Sequence, residues 1–171
     1  AFGDESVLRY QDAPLPEPGE NEVRVRILAV GVNPVETYIR AGPYGRLPEL
    51  PYTPGTDGAG VVDKLGAGVR GLDIDNRVFV AAAKAKRNTG TYAEYVVCDA
   101  GAVRRIPDTI AYAEAAGIGV PGLAATAALF TRARLRPGET VLVHGATGGV
   151  GTLAVQLARR GGAVVFGTAG D

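Results

Sequence analysis

Apolar and polar positions alternate through residues 22–32. Val23, Val25, Ile27 and Ala29 fall on one side and Arg24, Arg26, Leu28 and Val30 on the other. A period of two predicts a half-buried strand there. The prolines at 14, 16 and 18, with Gly19, read as a turn-rich lead-in. After the strand, Asn33-Pro34 reads as a helix start, with asparagine as cap and proline at the first helical position, and the short helix over 35–40 ends at Gly42-Pro43. Three more strands are predicted over 60–65, 77–81 and 92–97, separated by turns that contain Gly66, Gly68, Gly71 and Gly90. Short strands with dense glycine turns predict a small, mostly antiparallel barrel or sandwich. From residue 111 the character changes. Alanine and leucine dominate, and helical periodicity runs through 111–118 and 123–134. Pro137-Gly138 then precedes a strand over 140–144, a helix over 149–160 and a strand over 163–168, which together predict a βαβ unit.

Composition narrows the function classes. The 171 residues carry 18 Lys+Arg against 18 Asp+Glu, without a basic run, so neither nucleic acid nor an anionic membrane is an expected partner. No apolar run approaches the roughly 20 residues that span a bilayer. The single cysteine, Cys98, excludes an intrachain disulfide and a multi-cysteine zinc site; beside Asp99 it is expected to be an inert or buried thiol. Its presence alone fits a reducing compartment; the expected location is the cytoplasm, with the mitochondrial matrix as alternative. His144, the only histidine, is expected to pack at the end of its strand and not to bind a metal.

The chemistry-bearing segment is the turn between residues 144 and 152. Gly145, Gly148, Gly149 and Gly151 let the chain turn tightly between an apolar strand and a helix, bringing bare N–H groups up to a phosphate at the positive end of that helix. This predicts a dinucleotide pyrophosphate site formed by Gly145, Ala146, Thr147, Gly148, Gly149, Val150 and Gly151. A ribose contact is read at the end of the next strand, Gly167 and Thr168, where no acidic residue stands. That absence favours a 2′-phosphorylated cofactor, NADPH.

Beyond these elements, the chain resembles the medium-chain dehydrogenase/reductase superfamily, within it the zinc-independent quinone oxidoreductases of the zeta-crystallin group. The matching blocks are GVNPVETYIRAGPY (31–44), LPYTPGTDGAGVV (50–62), GTYAEYVV (90–97), AAGIGVPG (115–122), VLVHGATGGVG (141–151) and VFGTAG (165–170), in family order. The resemblance implies a GroES-like, partly open β-barrel domain over 1–122, followed over 123–171 by the first βαβ unit of a Rossmann domain. The rest of that domain is not in this sequence. The implied activity is reduction of a quinone or enone by hydride transfer from NADPH. Carried over residue by residue, Asn33, Tyr38 and Tyr44 line the nicotinamide cleft, with Tyr38 contacting the cofactor. Helix capping by Asn33 and plain surface packing of Tyr44 and Tyr52 remain alternatives. Zinc-dependent relatives have a cysteine where this chain has Asn33 and His-Glu where it has Thr56-Asp57, so only Asp57 could still coordinate and no zinc is expected.

Three departures accompany the resemblance. Ala124 replaces a threonine that would face the nicotinamide; a glycine turn reads Asp75-Asn76 instead; and the segment 81–89 is longer and more basic than the family's loop. Together with the short length they leave a second reading open, a non-catalytic accessory subunit of a larger assembly. The resemblance itself implies a homodimer.

Overall fold

The computed structural model describes residues 1–45, 47–81 and 89–170. Most of the basic segment at 81–89 therefore lies outside the described residues. The chain packs as two compact units, Ala1–Gly119 and Val120–Asp171.

The first unit is built on a five-stranded antiparallel sheet. Its strands are β1 (Glu22–Gly31), β2 (Asp57–Leu65), β3 (Arg77–Val80), β4 (Tyr95–Asp99) and β5 (Val103–Arg105), in the order β4-β1-β2-β3-β5. The predicted alternation of β1 holds. Val23 and Val25 are fully buried with Val62, Val78, Val80, Val96, Cys98 and Val103, and Ile27 packs against them. β-Branched side chains fit such a pleated, enclosed surface. Register shifts at Arg24/Val25 and Ile27/Ala29 bend β1 against β2. Leu28 and Val30, on the other side, are exposed. Arg24 lies on that side too, yet it is buried. The proline-rich lead-in folds over it: its Nη1 donates to the Pro16 carbonyl and Glu17, its Nε to Asp63, and its guanidinium sits 5.8 Å from the Tyr95 ring centre.

Boundaries shift where tertiary contacts compete. β4 begins at Tyr95, not at residue 92, because Thr91 and Tyr92 give their N–H groups to the Gly55 and Pro54 carbonyls. β5, too short to show a period, exists because Val103 and Arg105 pair with Val80 and Val78. The helix α1 (Pro34–Ala41) follows β1 as predicted and ends at Gly42, whose φ of +102° is left-handed. α2 is shorter than its pattern, Tyr112–Ala116, and buries Ala115 and Ala116 with Ala59.

Asp75 has φ +66°, its N–H donating to the Val62 carbonyl. The left-handed conformation costs a Cβ-bearing residue energy that glycine avoids. Asp75→Gly is therefore expected to raise stability by about 0.5–1 kcal/mol, read as a higher urea midpoint; an unchanged or lower midpoint would contradict the turn's geometry.

In the second unit α3 (Gly119–Thr126) starts four residues earlier than its periodicity suggests. Pro121 falls in the first turn, where no N–H donor is needed. A π-helical turn, Ala127–Arg132, extends it. The βαβ unit follows: β6 (Thr140–Val143), α4 (Gly149–Arg160) and β7 (Val164–Gly167), with β6 and β7 parallel. Val141, Val143 and Val165 turn inward to Ala125, Leu129, Ala154 and Ala158, whereas Leu142, Val164 and Phe166 on the opposite face are exposed. Among the described residues no helix is long and apolar enough to cross a membrane.

Candidate functional site

In the first unit the end of β1, the start of α1 and the start of β2 bring polar side chains together. Asn33 occupies the N-cap position of α1, but its side chain makes no cap hydrogen bond. The amide Nδ2 donates instead to Asp57 Oδ2 at 3.0 Å. Facing a carboxylate, that end of the amide must be the NH2 group. Asn33 is 6% exposed and Asp57 1%. Asp57 is boxed in by missing side chains. A Cβ on Gly119 would lie 2.2 Å from Asp57 Oδ1, and one on Gly31 would lie 2.9 Å from Asp57 Cβ. Thr91 Oγ1 donates to the Asp57 carbonyl at 2.8 Å.

Tyr38 and Tyr44 are 55% and 44% exposed. The structure thus separates the predicted trio into a buried amide and two accessible rings. Tyr52 is different again. Its ring lies 6.3 Å from that of Phe2, and among the described residues its buried hydroxyl has no hydrogen-bond partner; burial pushes its pKa up. Reading the sequence missed Glu36, Thr56 and Tyr92 as parts of this cluster. The Asn33-x-x-Glu36 spacing of a capping box was the available signal: Glu36 Oε2 does accept the Asn33 N–H at 2.8 Å. Tyr92 O–H donates to the same oxygen. Burial, that hydrogen bond and the nearby charges of Glu36 and Asp57 hold the phenol far above its ordinary pKa. It keeps its proton and donates to Glu36; it is not an acid that releases its proton near neutrality.

In the second unit the glycine turn links β6 to α4. Gly145 has φ +68°, and its carbonyl accepts the Gly148 N–H at 3.0 Å. Gly151 packs directly on that turn, since a Cβ there would lie 2.0 Å from Gly145 O. Ala146 N–H donates to the Thr168 carbonyl at 2.8 Å, which ties the turn to the end of β7. Gly148 caps α4 with no side-chain hydrogen bond, so the first-turn N–H groups of Gly149, Val150 and Gly151 have no intrahelical acceptor. Thr147 and Val150 are exposed. Gly167 comes close to the turn as well, its imagined Cβ 2.7 Å from Ala146 Cβ. His144 is exposed, which corrects the expectation that it packs at its strand end. Its Nδ1 lies 3.2 Å from Thr168 Oγ1, and the same hydroxyl accepts the Gly145 N–H at 3.3 Å. Cys98 is buried at the end of β4, where burial and the charges of Asp99 and Glu22 push its thiol up to about 12. Among the described residues no group of three His, Cys, Asp or Glu could hold a metal ion.

Residues 19–108 match the model of the alcohol dehydrogenase GroES-like domain, more than half of the chain. The chain belongs to that family. The GroES-like match covers the whole antiparallel sheet and the Asn33–Asp57 cluster. Beyond the matched segment the likeness continues. The rat (Rattus norvegicus) quinone oxidoreductase is 45% identical over 171 residues, 99% of this chain and 51% of the relative. The crystal structure of Escherichia coli quinone oxidoreductase complexed with NADPH superposes with a TM-score of 0.86 at 34% identity, covering 100% of this chain and 51% of that one. An alcohol dehydrogenase superfamily protein from Novosphingobium aromaticivorans gives a TM-score of 0.91 at 32% identity, over 99% of this chain and 52% of that one. These likenesses place the GroES-like chain in the quinone oxidoreductase group of the medium-chain dehydrogenase/reductase superfamily. It spans about half the length of the curated relatives it matches.

Proposed function

We propose that the whole protein is an NADPH-dependent quinone or enone oxidoreductase working without zinc, and that this chain supplies its pyrophosphate loop and part of its substrate side. The observation that carries the reading is the turn from Gly145 to Gly151, where the first N–H groups of α4, which have no acceptor within the helix, follow a turn packed on a glycine that tolerates no side chain. Such an N-terminus attracts a diphosphate through both its dipole and its free donors. Gly145, Ala146, Thr147, Gly148, Gly149, Val150 and Gly151 would hold the pyrophosphate; Gly167 and Thr168 would lie along the ribose. The lack of an acid at the end of β7 leaves room for a 2′-phosphate. A related structure holding NADPH supports the same choice.

Bound NADPH supplies the hydride. This chain's residues then have to orient a flat carbonyl substrate and stabilise the negative charge that develops on its oxygen. Tyr38 is exposed, and its phenol can donate to that oxygen while its ring packs on the substrate. Tyr44, also accessible, offers a second ring. Asn33, locked onto Asp57 by one N–H, presents an amide of fixed orientation. The donor set argues for chemistry without a metal. An amide, a threonine hydroxyl and one carboxylate at positions 33, 56 and 57 lack the soft thiolate and imidazole that catalytic zinc selects.

The test is NADPH oxidation by the whole protein with an ortho-quinone, followed by the nicotinamide absorbance. Turnover is expected. A folded protein that binds no NADPH and shows none at high enzyme concentration would remove the reading. Within it, Tyr38→Ala is expected to lower kcat by at least about 10-fold with the melting temperature unchanged, as for loss of a hydrogen-bond donor to a developing oxyanion; unchanged kinetics would clear Tyr38 of that role.

A further inference from the structure

Glu36 is a buried carboxylate that the function above does not use. It sits in the first turn of α1 and is 6% exposed. Oε2 accepts from the Asn33 N–H at 2.8 Å and from the Tyr92 hydroxyl; Oε1 accepts from the Thr56 N–H at 3.0 Å and from Thr56 Oγ1 at 2.9 Å. These donors come from α1's own cap, from the entrance to β2 and from the segment before β4.

We infer that Glu36 is a positioning residue for the reaction proposed above, clamping the Asn33–Asp57 pair so that the Asn33 amide has a single orientation. The inference rests on that functional reading. Both ends of the 3.0 Å bond between Asn33 and Asp57 hang from the same carboxylate. Asn33 is held through its own N–H, and Asp57 through its neighbour Thr56. Hydrogen bonds between neutral groups would fill the space at less desolvation cost; a carboxylate is the side chain that accepts at every lone pair and donates nowhere. It can therefore satisfy two backbone N–H groups and two hydroxyls at once. The hydroxyls of Thr56 and Tyr92 can turn to suit another partner, whereas the two backbone N–H groups cannot. Glutamine at this position could accept at only one of its ends, leaving either Asn33 N–H or Thr56 N–H facing an NH2 group. One end of the clamp would open. Tyr92 strengthens it from outside, and Gly31 and Gly119 close on Asp57 from behind.

The test compares the unaltered whole protein with Glu36→Gln and Tyr92→Phe. The crystal structure of each variant reads the Asn33–Asp57 distance, direct titration reads NADPH affinity, and steady-state kinetics separate kcat from KM. In Glu36→Gln the Asn33 amide is expected to leave Asp57. With it kcat should fall about 10- to 100-fold, the scale of a small misplacement of a positioned group, while NADPH affinity stays within about 3-fold. Tyr92→Phe, which keeps the charge and removes one donor, is expected to show a smaller loss of kcat, and it carries the test should Glu36→Gln fail to fold. An Asn33–Asp57 bond intact in the folded variant, or an unchanged kcat, would overturn the inference while leaving the oxidoreductase reading standing. No turnover by the unaltered protein would instead remove the oxidoreductase reading and this role with it.

Discussion

Gly151→Ala is expected to weaken dinucleotide binding by roughly 100-fold, about 3 kcal/mol, and to destabilise the second unit by about 1–3 kcal/mol. The added Cβ would stand 2.0 Å from the Gly145 oxygen and 2.9 Å from Ala146 Cα. Both are backbone atoms, so no rotamer change relieves the contact. Either the turn opens or the first turn of α4 tilts away, and both movements scatter the N–H groups that the proposed site would turn to a diphosphate. Gly149→Ala is the matched control. A Cβ there meets nothing within 4 Å, so its expected effect on stability is neutral to favourable, at most about 1 kcal/mol. Thermal unfolding and NADPH titration of both variants check the pair. Equal melting temperatures for the two would refute the close packing of α4 on the turn.

The other large effect concerns Cys98 at alkaline pH. Its thiol is held up to about 12 from an ordinary value of 9.0, chiefly by burial and then by the charges of Asp99 and Glu22. In the unfolded chain the thiol ionises first. Between pH 9 and pH 12 the unfolded state therefore binds fewer protons than the folded one, and stability falls as pH rises. The contribution is fully present below pH 9 and is lost by about pH 12, roughly 4 kcal/mol over that window. Cys98→Val keeps the volume and removes the titration. Urea unfolding of both proteins from pH 8 to pH 11 should show the difference between them closing or reversing in favour of valine as the pH climbs; a constant difference would contradict the burial of an ionisable thiol. Alkylation at pH 8 should be slow until urea unfolds the protein.

Much of the architecture was written in local pattern. The period of two at residues 22–32 corresponds to β1 with its valines inward, and Asn33-Pro34 marks the start of α1. The strand, glycine turn and helix from Thr140 to Arg160 appear with nearly the predicted ends. Asp75 takes a left-handed φ, the conformation that glycine adopts without cost. The candidate site was legible only as a set of residue types. Asn33, Tyr38 and Tyr44 stand close in sequence, but only the first is buried in a polar cluster. Its partners come from far away: the Asn33–Asp57 bond spans 24 positions and Tyr92–Glu36 spans 56. Periodicity is blind to such pairs because it reports which face a residue shares, not what stands opposite.

Sequence alone determined β1 with its inward valines, both ends of α1 and the glycine turn between β6 and α4, because each depends on sterics and spacing within a few residues. Tertiary structure decided the burial of Arg24 under the lead-in, the existence of β5 and the choice of Glu36 as the centre of the Asn33–Asp57 cluster. A buried charge persists only where donors from separate segments converge on it, and that convergence comes into being when the chain folds.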